Sequence, residues 1–310
     1  MDTKLVNHSP HILAKNTTSS IMLDVLIALT PATLAGFVVF GPRAILIVAV
    51  SVISAILSEY VCCKIMKRPV SIRDLSAAVT GLLLALNLPS TLPIWMVALG
   101  SAVAIIIVKM FFGGLGHNFA NPAMVGRIVL MTSYAKYMTE WVNPFSWFTN
   151  VDAVTTATPL AADAGSYTYK QLLLGLHGGC IGEGNAILLL LGGLYLIFRK
   201  VIKPYIPLSF ILTVALFSLA LGVDPIYAIL SGGLMLGAIF MATDYVTSPS
   251  GTLGGIIFGI GCGVLTVVIR QFGALPEGVS YSILTMNLLT PHIENLTRRK
   301  PFGWEARKNG

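Results

Sequence analysis

The sequence predicts an all-α, polytopic membrane protein, on three observations. Of its 310 residues, 55% are apolar and only 11% charged, against roughly 25% charged in ordinary soluble domains. The apolar residues fall in ten runs. At about 20 residues per bilayer-spanning helix, ten spans and one sizeable polar loop account for the chain, with no room for a large soluble catalytic domain. The basic residues flank those runs and divide unequally between the two sides they define, as the positive-inside rule requires. The net charge of +7 therefore reads as orientation, not as a surface for nucleic acid.

In chain order, residues 1–20 are polar, contain Asp2 and lack the apolar core and small-residue cleavage site of a signal peptide, so the first span is expected to be retained. Spans then follow between polar or Gly/Pro breaks at 21–40, 44–63, 75–90, 93–112 and 122–135, and at 185–199, 206–222, 225–242, 252–270 and 279–295. The second ends at the basic cluster Lys64, Lys67, Arg68 and the third opens beside Asp74. The fourth runs into Gly113-Gly114, and the fifth starts at Pro122, a residue suited to the first turn of a helix. The third, fifth and tenth are short or interrupted, as helices that line a cavity inside a bundle are.

With the N-terminus inside, only Arg43, Lys136, Lys170 and Arg270 of the 20 basic residues fall outside. Lys109 and Arg127 count among the cytoplasmic anchors. An even number of spans returns the C-terminus to the cytoplasm. The organisation expected is a cytoplasmic segment (1–20), a first five-helix repeat (21–135), an extracytoplasmic loop (136–184), a second five-helix repeat (185–295) and a cytoplasmic tail (296–310). Five spans on each side of the loop must run upside down relative to each other, the inverted-repeat arrangement that builds midplane binding sites. A faint echo accompanies it: Asp74 precedes Thr80-Gly81 as Asp224 precedes Ser231-Gly232.

The long loop carries Asp152-Ala-Val-Thr155-Thr156-Ala157-Thr158-Pro159-Leu160 beside Trp141, Phe145, Trp147 and Phe148. Such residues are ordinary in turns and interface belts, but the order D-x-x-T-x-A-T resembles the D-x-x-(S/T)-G-A-(T/S) signature at which a flavin transferase joins FMN through a phosphoester to the last hydroxyl. That hydroxyl is Thr158 here. Thr156 stands where the signature has Gly and leaves Thr155 and Thr156 as neighbouring hydroxyls. A phosphodiester tether lets a redox carrier work on an exposed surface without dissociating, while the protein supplies position and electrostatics.

A second motif, Gly113-Gly114-Leu-Gly116-His117-Asn118-Phe-Ala-Asn121-Pro122, lies between the fourth and fifth spans. Phe119 replaces the third glycine of a dinucleotide loop and no strand precedes it, so a Rossmann phosphate site is rejected. The glycines and asparagines describe backbone packed closely against something, followed by a helix start whose amides point at a ligand. Asn121-Pro122-Ala123 also suits a water channel, but such channels carry two of these tripeptides. The second half here has Thr243-Asp244-Tyr-Val-Thr247-Ser248-Pro249 instead.

G-G-L-G-x-N-x-x-N-P-A-x-x-G-R, D-x-x-T-x-A-T-P-L and M-A-T-D-x-V-T-S-P, in this order and on this hydropathy pattern, resemble the NqrB/RnfD family over essentially the whole chain. The short polar segment before the first span favours its Rnf branch over the subunit of the sodium-pumping NADH:quinone oxidoreductase. The resemblance implies a membrane subunit of a ferredoxin:NAD oxidoreductase in the cell inner membrane that couples electron transfer to outward Na⁺ or H⁺ movement. Also implied is a fold similar to urea and ammonium transporters, with covalent FMN at Thr158 and a non-covalent riboflavin between helices. The implied partners are Rnf subunits A, B, C, E and G, a flavin transferase for maturation, and membrane lipid, with no nucleic acid. Asp152, Thr155, Thr156 and Ala157 belong to the FMN motif. Gly114, Asn118, Asn121, Thr243 and Asp244 are the riboflavin candidates.

No catalytic or metal-ligating side chain is expected. The cysteines Cys62, Cys63, Cys180 and Cys262 form no C-x-x-C pair and read as packing. Carboxylates in or beside spans are Asp24, Glu59, Asp74 and Asp244. Asp244, in a hydroxyl-rich break, is ranked first for mechanism, and the other three suit interfacial anchoring or pairs with Lys64 or Arg73. The alternative is a urea- or ammonium-type channel without a redox role, which shares the helix count but has no need of a flavinylation motif.

Overall fold

The structure is a computed structural model and describes residues 17–149, 158–160, 167–273 and 277–298. Among these residues every regular element is helical. Helix α1 (Thr18–Phe40) starts under a cap in which Ser20 N–H donates to Thr17 Oγ1, and α2 (Pro42–Ile65) begins with proline in its first turn. Gly41 joins them at φ +76°, with the Trp147 ring lying where a Cβ would be. Then follow α3 (Ser76–Leu86), α4 (Ile94–Val103), extended by a π-helical stretch Ala104–Met110, and α5 (Pro122–Ser133). The short helices α6 (Ala135–Met138), α7 (Ser146–Thr149) and α8 (Tyr169–Leu174) lie in the long connection.

The second half holds α9 (Ala186–Phe198), α10 (Tyr205–Ala220), α11 (Pro225–Leu230) and α12 (Leu234–Leu236), which runs into a second π-helical stretch, Gly237–Met241. The last helices are α13 (Thr252–Phe272) and α14 (Val279–Thr297). α1, α2 and α13 are long and apolar enough to cross a membrane, and α3, α4 with its π-helical extension, α9 and α10 are shorter apolar helices. Every span expected from the sequence coincides with one of these elements to within a few residues, except that 225–242 is broken at Ser231–Gly233.

Small residues let the helices approach closely, which matters where lipid offers no hydrophobic drive between them. A Cβ on Gly81 of α3 would stand 2.8 Å from Val52 Cα of α2, and one on Gly126 of α5 would stand 2.8 Å from the Gly100 carbonyl oxygen of α4. Leu84, Leu86, Ile105, Phe210 and Phe258 fill the interior. Leu34, Val38, Ile53, Leu57, Leu208, Leu212 and Leu216 point outward, an apolar exterior suited to lipid.

Capping explains where the shorter helices begin. Asp74 Oδ1 accepts from the Ser76 N–H (2.9 Å) and hydroxyl (2.6 Å) at the start of α3, and Asp224 Oδ1 accepts from the Ile226 N–H (2.9 Å) and Tyr227 N–H (3.4 Å) at the start of α11. Asp224 is the N-cap of α11, whereas Asp74 stands one residue before Leu75, the N-cap of α3; both hold the N–H two residues on.

Candidate functional site

A mostly apolar cavity of about 280 Å³ opens at the end of the bundle where α1, α3 and α5 begin and the π-helical stretches end. Its polar wall is made by Ser76, Lys109, Asn118, Asn121, Thr243 and Asp244, against apolar Val25, Leu83 and Phe240. Few polar groups converging in an apolar hollow are what a small-molecule site presents.

Two segments supply most of that wall, and each follows a π-helical stretch, a distortion often found at functional sites. In the first, Asn121 caps α5: its Oδ1 accepts from the Ala123 N–H at 3.0 Å, and its Nδ2 donates to the Met241 carbonyl at 3.2 Å. Asn118 Oδ1 is buried and accepts no hydrogen bond among the described residues. In the second, Asp244 Oδ2 accepts from the Thr247 hydroxyl at 3.0 Å, and the Ser248 hydroxyl donates to the Asp244 carbonyl at 2.6 Å. Asn287 of α14 ties the two together: with its amide oriented to satisfy both atoms, it accepts from Asn121 N–H at 3.1 Å and donates to the Thr247 carbonyl at 3.2 Å.

Four of the five riboflavin candidates therefore line one cavity. Gly114 does not, although its neighbour Leu115 does. Of the glycines in this run, Gly113 packs closely, a Cβ there lying 3.2 Å from the His117 ring. Gly113, Gly114 and Gly116 take φ values of +126°, +100° and +93°, while a Cβ on Gly114 or Gly116 would meet nothing within 4 Å. They are needed for the shape of the turn.

At the opposite end of the bundle, Thr158 is 3% exposed and its Oγ1 has no hydrogen-bond partner among the described residues. The next residues seat it: the Tyr227 hydroxyl donates to the Pro159 carbonyl at 2.9 Å, and a Cβ on Gly232 would lie 2.6 Å from Leu160 Cδ1. Arg270 Nη1 and Nη2 donate to the Ala228 (2.7 Å) and Ser231 (3.1 Å) carbonyls, which the break after α11 leaves free. Asp152, Thr155, Thr156 and Ala157 lie outside the described residues. Trp147 and Phe148 stack on each other at 3.8 Å between centroids, and Trp147 Nε1 donates to the Val38 carbonyl.

Beside Gly233, in the break between α11 and α12, lies a buried charged group that the sequence reading did not find. Arg127, 2% exposed, is bonded to Glu277, donates to Asn87 Oδ1 at 2.7 Å and stands 3.5 Å from Glu183 Oε1. Cys180 Sγ lies 3.4 Å from Arg127 Nη2 and donates to the Asn87 carbonyl at 3.2 Å, and burial pushes this thiol well up, keeping it protonated. Lys109 is likewise buried, 2.9 Å from Glu59. Neither cation is the interfacial anchor expected from sequence. Glu59 pairs with Lys109, not Lys64 or Arg73, and Asp24 pairs with Arg199 at 3.1 Å. The available signal was an arginine or lysine inside an apolar helix, which needs a carboxylate partner.

Helices throughout the described residues, an apolar exterior, an internal cavity and buried ion pairs define an integral membrane protein of the helical-bundle class. The profile of the NQR2, RnfD, RnfE family matches residues 5–303, and the chain belongs to this family. It is 49% identical, over 96% of its length and 95% of the relative's, to the D subunit of the Na⁺-translocating ferredoxin:NAD⁺ oxidoreductase complex of Acetobacterium woodii. It is 43% identical, over 96% of both chains, to the D subunit of the proton-translocating ferredoxin:NAD⁺ oxidoreductase complex of Clostridium ljungdahlii. Over 95% of both chains it is 37% identical to the D subunit of the ion-translocating oxidoreductase complex of Stutzerimonas stutzeri. These relatives are named as parts of redox pumps, not as channels.

Proposed function

We propose that the chain is the RnfD-type integral membrane subunit of an ion-translocating ferredoxin:NAD⁺ oxidoreductase, carrying electrons on two flavins while the complex moves Na⁺ or H⁺. The observation that carries the redox reading is the similarity to the D subunits of two such complexes across 96% of the chain. Relatives named for different ions, at 49% and 43% identity, leave the ion open between these two. The partners are the remaining Rnf subunits A, B, C, E and G, with a flavin transferase acting in maturation.

Thr158 is the covalent FMN site. Its support is the D-x-x-T-x-A-T order together with a hydroxyl that no hydrogen bond among the described residues consumes. The cavity takes riboflavin. Its apolar wall suits the ring, and Asn118 Oδ1 offers an acceptor that no described residue uses. Bound flavin supplies one- and two-electron chemistry that no side chain offers. In the cavity the chain's own part is to orient the flavin with Asn118 and Asn121 and to exclude water with Leu83 and Phe240, while Thr158 carries the other cofactor at the opposite end of the bundle.

The topology is ten spans in two inverted five-helix repeats, resembling the urea and ammonium transporters, with both termini cytoplasmic and the Thr158 segment outside. Support comes from Asp74 and Asp224, each of which accepts from the backbone N–H two residues on at the start of the third and the eighth span, equivalent positions of the two halves. Intact-protein mass spectrometry with and without a flavin transferase, followed by peptide mapping, tests the function. An added mass of FMN less one water on the Thr158 peptide is expected. Its absence despite active transferase would remove the covalent redox role.

A further inference from the structure

Lys109 is carried on the π-helical stretch at 2% exposure and lines the cavity. A lysine is almost never this buried without a partner, and here the partner is Glu59, 0% exposed, at 2.9 Å. Its Nζ also donates to the Ser76 hydroxyl at 2.5 Å, and that hydroxyl donates to Asp74 at 2.6 Å. An ammonium has three N–H donors. Glu59 and Ser76 take two, and the third is left for the cavity. The pair is costly to keep for stability alone, since buried ion pairs can often be replaced by apolar side chains without loss, and Glu59 Oε2 accepts no hydrogen bond among the described residues.

We infer that Lys109 is a tuning residue for the cavity flavin, its ammonium facing the N1–C2 carbonyl edge of the ring and stabilising the reduced form over the oxidised one. This rests on the riboflavin reading above. The pyrimidine half of the ring presents one donor, N3–H, between carbonyl acceptors. The cavity presents an acceptor that no described residue uses, Asn118 Oδ1, and is lined by Lys109, whose two hydrogen bonds leave one of its three N–H groups, while apolar Val25, Leu83 and Phe240 suit the dimethylbenzene half. A flavin bound here and reduced by two electrons from the ferredoxin side of the complex, with one proton taken up at N5, would carry one negative charge on its N1–C2 edge, and the Lys109 ammonium would hold that charge while keeping its own proton. Glu59 sets how much of the ammonium's charge the ring feels.

The test uses the purified whole complex with Thr158→Ala in this chain, so that its covalent flavin does not overlap the signal. Acid-extracted riboflavin is quantified by chromatography, and the midpoint potential of the cavity flavin is read by visible redox titration. Lys109→Met should retain or weaken the flavin and lower the midpoint, Glu59→Gln should raise it, and Lys109→Arg should stay near the parent. Riboflavin lost from Lys109→Met and kept in Lys109→Arg also supports the contact. An unmoved midpoint in Lys109→Met with riboflavin retained overturns the inference and leaves the riboflavin reading standing. If Lys109→Met does not assemble, an unmoved midpoint in Glu59→Gln overturns it equally. A parent complex without extractable riboflavin removes both.

Discussion

Arg127 of α5 donates to the side-chain oxygen of Asn87, at the end of α3, with an N···O distance of 2.7 Å, and the same guanidinium is bonded to Glu277 at the start of α14. One side chain thus joins three elements inside the bundle, and Glu183 of the long connection stands beside it at 3.5 Å. Asn87 in turn donates to Met241 Sδ, whose carbonyl receives Asn121 of the cavity. A chain of polar contacts therefore runs from the cavity to the Arg127–Glu183–Glu277 cluster. Arg127→Met would leave two buried carboxylates without their cation. Breaking one partner of a buried pair costs about 3–5 kcal/mol. The thermal midpoint of the detergent-purified complex should fall sharply, and a midpoint equal to wild type would show that this network contributes nothing to stability.

What the sequence made legible was whatever is encoded locally. Pro122 after Asn121, Pro225 after Asp224 and the Gly41-Pro42 step announce helix starts, because capping and fixed φ act within a few residues. The gathering of Asn118, Asn121, Thr243 and Asp244 followed from motifs on connections that parity put at one end. Lys109–Glu59 and Arg127–Glu277, separated by 50 and 150 residues, leave no periodic trace, since their partners are chosen by helix packing. Glu183 and Glu277 sat in segments that read as polar loop and span edge. The Gly113–Gly116 run was legible as a turn, but its positive φ values were not, because glycine serves close approach and positive φ alike.

Gly232, at φ +65°, lies in the break between α11 and α12, where a Cβ would meet Leu160 Cδ1 at 2.6 Å and Arg270 Nη2 at 3.2 Å. Gly232→Ala adds both backbone strain and a clash, a cost on the order of 1–3 kcal/mol. The damage falls on the seat of Thr158–Leu160, so the yield of covalent flavin should drop more than the amount of inserted protein. Equal flavin per polypeptide in variant and wild type would disconnect this break from the flavinylated segment.

Asp224 is held below its ordinary value of 3.8 because the Tyr169 hydroxyl donates to it, reinforced by the backbone N–H groups of Tyr227 and Ile226. A lowered folded-state value means that the folded chain prefers the carboxylate. The contribution is therefore complete above the ordinary carboxylate range and is lost as pH falls through the lowered value. Thermal midpoints measured from pH 7 down to pH 3 should show an acid loss in wild type that Asp224→Asn, already weakened at neutral pH, lacks in part. Parallel curves across the whole range would count against the Tyr169–Asp224 link.

Thr158→Ala should abolish covalent flavin on this chain while membrane insertion is kept, and Thr158→Ser should restore it, because a serine hydroxyl can carry the same phosphoester. Flavin fluorescence of the denatured polypeptide on a gel reads both. The informative failure is a Thr158→Ala chain that still fluoresces, since Thr155 or Thr156 would then be the attachment point.

Orientation can be read with engineered thiols, one at a time. The four native cysteines are all buried, so the background for a membrane-impermeant maleimide in intact cells is low. Gly165, in the connection between the two halves and outside the described residues, is expected outside the cell from the excess of Lys and Arg near the chain termini and near Lys64–Arg73 and Arg199–Lys203. Gly165→Cys should be labelled in intact cells, and a cysteine replacing Ser19, beside Arg73, only after lysis. The reverse pattern would invert the topology, placing Thr158 on the cytoplasmic side and the cavity, which begins at Thr18, on the outside.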